Sequence, residues 1–274
     1  MRWTERQRAM LGEMGIRLWP AVGQTDADAN ANADAGAGAG AMAAAGVDEA
    51  PLAAPTVPVV AVPEVAPVPA ALATRPPGIG SMGWDALRTA VAGCTACKLC
   101  KGRTQTVFGV GHTSAHWLIV GEAPGEQEDR QGEPFVGASG QLLDNMLRAI
   151  HLTRGEAEPA RQVYIANTVK CRPPGNRNPE PEELAQCEPF LIRQVELLRP
   201  RIILAMGRFA VQSLLRSSEP IGRLRGRVHR YQGVPLIVTY HPAYLLRNLQ
   251  DKARAWDDLC LAADAAAAAA ATAA

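Results

Sequence analysis

Four cysteines fall into two pairs, Cys94-x2-Cys97 and Cys171-x15-Cys187, with 73 residues between the pairs and with Cys100 and Cys260 left over. Two pairs of soft ligands brought together by a fold satisfy either a tetrahedral metal ion or an iron–sulfur cluster, and spacing alone does not choose between them. A bacterial ferredoxin run would continue past Cys100 to a cysteine at position 104, where Thr104 stands, which argues against a simple electron-transfer ferredoxin. Buried free thiols are the plainer alternative.

A second group with chemical potential is Gly121-Glu-Ala-Pro-Gly-Glu-Gln-Glu-Asp129, followed by Glu133-Pro-Phe-Val-Gly137. It concentrates Glu122, Glu126, Glu128 and Asp129 among glycines and prolines, either as a solvated turn or as the acidic rim of a site. Asn167 and the run His241-Pro-Ala-Tyr-Leu-Leu-Arg247 add a carboxamide and an imidazole, both suited to hydrogen bonding and proton control.

The elements that must position these groups are legible as short apolar runs. Trp117–Gly121, Val163–Asn167, Ile202–Met206 and Leu236–Tyr240 read as buried strands, and the acidic loop, Asn167 and His241 each sit at or just beyond the carboxyl end of one. Gln141–His151, Glu182–Leu198, Arg208–Leu215 and Asp251–Leu261 carry apolar residues at helical spacing. This alternation predicts a three-layer α/β/α domain around a central, mostly parallel four-stranded sheet, with its site at the strands' carboxyl ends.

Composition sets the outer limits. Residues 21–83 are dominated by Ala, Gly, Pro and Val, so they predict a disordered linker, and the Ala-rich residues 262–274 predict a disordered tail. Residues 1–20 have the spacing of a short amphipathic helix, suited to docking a protein partner through that linker. The remaining 84–261 are long enough for one core, and a monomer is expected. No run is apolar enough to span a membrane, and charges throughout the first 20 residues argue against a secretory leader. The expected place is therefore cytoplasmic, with reduced thiols. Residues 84–261 hold 23 Lys and Arg against 18 Asp and Glu. Arg216, Arg223, Arg225, Arg227 and Arg230 suggest a phosphate-contacting edge or a solvated basic loop.

GEAPGEQED-x4-PFVG, NTVKCRPPGNRNP, HPAYLLR and the four-cysteine pattern together resemble the family 4, iron–sulfur uracil-DNA glycosylases, over residues 88–261. The resemblance implies removal of uracil from single- or double-stranded DNA in base-excision repair, in a bacterial-type, nucleoid-associated setting. It implies that Cys94, Cys97, Cys171 and Cys187 hold a 4Fe-4S cluster. Phe135 would stack on the flipped uracil, and Asn167 would pair with its Watson–Crick edge, a pattern that cytosine inverts. His241 would donate to uracil O2, and Glu122 and Glu128, with Asp129 behind them, would orient water or offset charge on the sugar.

The classical enzymes of the superfamily carry Asp two residues after the motif's first Gly, and Ala123 stands there against the substrate. Arg172, Arg177 and Arg247 would contact DNA, with Leu245 or Leu246 as a minor-groove wedge. Covalent capture of the abasic sugar needs a histidine in the loop after the third cysteine, and 172–177 has none. A non-catalytic iron–sulfur DNA-binding module is the other alternative.

Overall fold

The computed structural model describes residues 75–273. The expected amphipathic helix at 1–20, and all of the expected linker before residue 75, lie outside the described residues. The last nine residues assigned to that linker are built into the domain: Ile79 is buried against Leu87 and Phe190, and Arg75 Nη2 donates to Gln186 Oε1 at 3.1 Å. The ordered unit thus starts earlier than residue 84, because a single well-placed isoleucine anchors a stretch whose composition is otherwise linker-like.

Six strands form one sheet: β1 (Val110–Gly111), β2 (Trp117–Gly121), β3 (Val163–Asn167), β4 (Ile202–Met206), β5 (Val228–Tyr231) and β6 (Val234–Thr239). Their order is β1-β3-β2-β4-β6-β5. The four expected strands are the inner ones, all parallel, with Gly121 level with Asn167 across β2 and β3 and Val120 level with Ala205 across β2 and β4. The two further strands are short antiparallel edges. β1 has only two residues and β5 alternates exposed with half-buried positions, so neither carries the apolar run by which a central strand is read.

Strand alternation sorts the core into two layers. Ile119, Ile165, Leu204 and Ile237 face one side, where they meet Leu143, Met146 and Leu147 of α3 (Ala138–Ala149) and Trp256 and Leu259 of α8 (Lys252–Ala273). Leu118, Val120, Ile203, Ala205 and Val238 face the other, against Leu191 and Val195 of α4 (Pro181–Leu198) and Val211 and Leu214 of α5 (Arg208–Leu215). The three-layer α/β/α reading is borne out. Burying each such Leu, Ile or Val contributes roughly 1.5–3 kcal/mol. The remaining helices are α1 (Trp84–Ala92), α2 (Glu126–Gln131), α6 (Ile221–Leu224) and α7 (Pro242–Leu245).

The Ala-rich tail is a correction. Residues 262–273 continue α8 as helix, with Ala262 fully buried and Ala265 and Ala266 packed on the core. Alanine is weakly hydrophobic, which made the stretch look coreless, but it is the best intrinsic helix former and extends a helix already anchored upstream. No helix among the described residues is long and apolar enough to cross a membrane.

Candidate active site and thiol cavity

From β2 the chain passes to β3 on one side, then crosses back to β4 on the other, so a crevice opens above the carboxyl end of β2. A cavity of about 950 Å³ occupies it. Glu122, Ala123, Glu128, Phe135, Asn167, Arg177, His241 and Arg247, drawn from four separate stretches of sequence, all line it.

Asn167 ends β3 with only 2 % of its surface exposed, and its Oδ1 has no hydrogen-bond partner among the described residues. An unpaired buried carboxamide oxygen costs about 1–3 kcal/mol, so it awaits a donor from whatever fills the cavity. Phe135 is also buried and is held at φ 53°, a left-handed conformation unfavourable for a bulky residue. Two glycines make these positions accessible. A Cβ on Gly121 would lie 2.5 Å from Asn167 Oδ1 and 2.6 Å from the Phe135 ring, and one on Gly140 of α3 would lie 1.8 Å from the Phe135 carbonyl oxygen.

The Phe135 ring stacks on His241, with centroids 5.2 Å apart and planes inclined by 27°. His241 precedes α7, and its Nδ1 accepts the Ala243 N–H at 3.1 Å. Burial, with a smaller push from Arg247, lowers its pKa to about 4, so the ring is neutral at physiological pH. With Nδ1 committed as an acceptor, the single proton resides on Nε2 as a donor.

The acidic loop divides by role. Glu122 lines the cavity, and burial alone raises its pKa to about 7. Glu128 instead spends both oxygens on main-chain amides, Oε2 on Gly125 and Oε1 on Val136, at 3.0 Å each. Asp129, the third carboxylate considered for catalysis, is buried beneath the loop and accepts the Thr104 N–H with both oxygens, at 3.0 and 2.9 Å. It ties α2 to the segment after Cys100 and is absent from the cavity wall.

A second, small cavity is lined by Cys94, Cys97, Cys100, Cys171 and Cys187. Burial pushes the Cys171 thiol up to about 11 and Cys187 up to about 12, so neither ionises readily without an added positive charge. N–H donors point at both sulfurs: Arg103 Nη1 lies 3.0 Å from Cys171 Sγ and the Lys170 amide nitrogen 3.2 Å from Cys187 Sγ. Among the described residues no three His, Cys, Asp or Glu groups gather tightly enough for one metal ion. Several thiols around one cavity, with N–H donors aimed at two of the sulfurs, are a donor set that would suit an iron–sulfur cluster. Cys260 lies apart, on α8 against the core.

The segment between Cys171 and Cys187 is clamped. Arg177 makes a bidentate pair with buried Glu183 at 2.9 and 2.6 Å, and Lys98 meets Glu180 at 2.6 Å. Arg172 donates to Asn176 Oδ1 and reaches Glu126 at 3.3 Å. Beyond His241, Leu245 is fully buried in the core, whereas Leu246 is 41 % exposed and Arg247 is exposed beside it. Of the two leucines weighed as a wedge, only Leu246 is presented outward; α7 turns Leu245 inward. The basic run is mostly spoken for: Arg216 pairs with Glu188, Arg225 with buried Asp258 and Arg227 with Glu219, and Arg230 donates to the Gly233 carbonyl.

Several contributors carry no signal of their own in the sequence. Gly121 and Gly140 act through the Cβ they lack, and Lys170 and Gln194 are buried polar residues inside otherwise ordinary segments. Tyr240 and Tyr244 stack at 5.2 Å, and Tyr244 OH donates to Asp251 Oδ2 at 2.8 Å, bracing the segment after His241.

Residues 108–260 match the uracil DNA glycosylase superfamily. The chain is 44% identical over 168 residues to the type-4 uracil-DNA glycosylase of Archaeoglobus fulgidus, covering 58% of this chain and 81% of that protein. It is 43% identical over 163 residues to the type-4 enzyme of Thermotoga maritima, covering 59% and 82%, and 42% identical over 177 residues to that of Pyrobaculum aerophilum, covering 61% and 86%. The chain that brings together a strand-end carboxamide, a stacked phenylalanine–histidine pair and a cysteine-lined cavity thus belongs to the type-4 family of the uracil-DNA glycosylase superfamily.

Proposed function

We infer that the chain excises uracil from DNA as the first step of base-excision repair, flipping the base into the cavity and hydrolysing its N-glycosidic bond to leave an abasic site. The observation that carries this reading is the unpaired, buried Oδ1 of Asn167 beside the Phe135–His241 stack. That oxygen accepts uracil N3–H while the amide nitrogen donates to O4, and Phe135 covers the face of the ring. Cytosine offers a lone pair at N3 and an amine at C4, so it leaves both amide groups mismatched.

Bond cleavage builds negative charge on uracil and positive charge on the sugar. The neutral His241, held by Ala243, donates Nε2–H to O2 and stabilises the first; the Glu122 carboxylate offsets the second or orients water. Glu128 holds the loop rather than the water. Cys94, Cys97, Cys171 and Cys187 would hold a 4Fe-4S cluster that supplies cross-linking of two distant segments. Arg172, Arg177, Leu246 and Arg247 face the DNA; Arg177 does so from its pair with Glu183. The enzyme acts as a monomer on nucleoid DNA in the cytoplasm, and residues 1–20 dock a partner, a role that a pull-down with residues 1–74 deleted tests.

The experiment is incubation of the purified protein with an oligonucleotide containing one uracil, then alkali, beside thymine and cytosine controls. Uracil-dependent breakage that requires alkali is expected, and His241→Ala is expected to slow it about a hundredfold while DNA binding persists. Binding without breakage would turn the assignment to a non-catalytic module or to covalent capture.

A further inference from the structure

Only three residues separate Asn167, which reads the base in the function proposed above, from Cys171 of the thiol cavity. The connection is Thr168-Val169-Lys170, and it is stitched to the acidic loop: Thr168 N–H donates to the Gly121 carbonyl at 3.0 Å, Thr168 Oγ1 to the Glu122 carbonyl at 2.6 Å, and Val169 N–H to the same Glu122 carbonyl at 3.2 Å. Lys170 is 1 % exposed, an unusual place for an ammonium group. Its Nζ donates to the main-chain oxygen of Asn167 at 2.8 Å and to Gln194 Oε1 at 2.7 Å. Gln194 is itself fully buried and pinned by donating to the Phe108 carbonyl at 2.9 Å and to the Tyr164 hydroxyl at 3.2 Å. At its other end Lys170 is fixed too, with its N–H on Cys187 Sγ at 3.2 Å and its carbonyl taking the Val107 N–H at 2.8 Å.

We propose that Lys170 is a positioning residue: a strut anchored on the thiol cavity whose ammonium sets the main chain of Asn167, and with it the carboxamide that discriminates the base. The inference rests on the reading of Asn167 as the uracil-reading group. Both ammonium acceptors are neutral oxygens, and the negative groups that favour its charge are the neighbouring Cys187 and Cys171 sulfurs. A plain packing role would be served better by leucine or methionine. The lysine has one end on Cys187 Sγ and the other on the main chain of the base reader. The same geometry makes the thiol cavity contribute to specificity, since any shift of Cys187 is passed through one peptide unit to the strut.

The test measures binding by the brown, cluster-loaded protein to three oligonucleotides. One carries non-hydrolysable 2′-fluoro-2′-deoxyuridine, one 2′-fluoro-2′-deoxycytidine at the same place and one a tetrahydrofuran abasic analogue. Wild type is expected to prefer fluorouridine to fluorocytidine; no preference would sink the reading of Asn167 and leave Lys170 with nothing to position. Given that preference, Lys170→Met is expected to weaken fluorouridine binding about tenfold, leave the abasic analogue within about twofold, and keep the brown absorbance per protein. A merely structural lysine would move both DNAs together. A brown Lys170→Met protein with the wild-type ratio of the two affinities overturns the proposal. Should that variant fail to fold, Gln194→Leu removes one of the ammonium's two anchors and keeps its charge. The same selective loss, about threefold, is then expected, and an unchanged ratio overturns the proposal equally.

Discussion

Glu128 accepts the main-chain N–H of Val136 at 3.0 Å, and this bond closes the loop that carries Phe135 in its left-handed conformation. Its other oxygen caps α2 through Gly125, so a motif that offers several carboxylates leaves Glu122 as the one that lines the cavity without such a commitment. Glu128→Ala is expected to lower stability by about 1–3 kcal/mol, seen as a drop of several degrees in Tm, with excision falling because Phe135 is released. An unchanged Tm would show that the loop closes by other means.

Glu122 should govern the pH profile. Its pKa near 7 means that the carboxylate form fills as pH rises through neutrality, so kcat is expected to climb about tenfold per unit below 7 and level off above it. His241, at about 4, stays neutral throughout and adds no break between pH 5 and 8. Glu122→Gln is expected to flatten the profile. Stability moves the opposite way: an acid whose folded pKa is raised loses stability as pH rises from its unfolded value of 4.5 through 7. Glu122→Gln should therefore gain on wild type in denaturant melts at pH 8 and match it at pH 4. A break that survives at 7 in this variant belongs to another group.

Gly121→Ala places a methyl group against both Asn167 and Phe135. Overpacking of this kind costs about 1–3 kcal/mol, and the displaced groups are the carboxamide and the ring proposed above to read and stack on the base. Excision should fall below detection while the protein still melts cooperatively. Retained activity would mean that the crevice opens more readily than its contacts suggest.

Much of this arrangement was legible in the sequence, for reasons that separate cleanly. Trp117–Gly121, Val163–Asn167 and Ile202–Met206 are strands at those bounds because burial on both faces leaves an unbroken apolar run. Asn167 and His241 could be placed at the crevice because parallel strands end on one rim. The inward turn of Asp129 and Leu245 could not be read, since a carboxylate or a leucine in a loop looks the same whether it faces solvent or core. Val228–Tyr231 was hidden by its polarity, and residues 262–273 by a composition that suits disorder and helix alike.

The two leucines after Tyr244 offer a clean separation of roles. Leu245→Ala should cost about 2–5 kcal/mol in chemical denaturation, because the side chain is wholly enclosed. Leu246→Ala should leave stability within about 0.5 kcal/mol but slow excision from duplex DNA more than from single strands, where no neighbouring base has to be held apart. Equal loss on both substrates would remove Leu246 from any part in opening the duplex.

On the proposed 4Fe-4S assignment, Cys171→Ser is expected to remove the cluster's brown absorbance and to loosen the clamp between Arg177 and Glu183. The check is visible absorbance together with the iron content of the purified protein, and intact colour would exclude Cys171 as a ligand.

The alanine extension of α8 has a practical meaning for anyone attaching something to this enzyme. Ala265 and Ala266 pack on the core, and the helix runs on to Ala273. At 1.5 Å per residue, the turns beyond Ala266 add roughly 10 Å of helix. A fluorophore or fusion partner joined there would sit at the end of a helix whose length is adjustable in steps by adding or removing alanines.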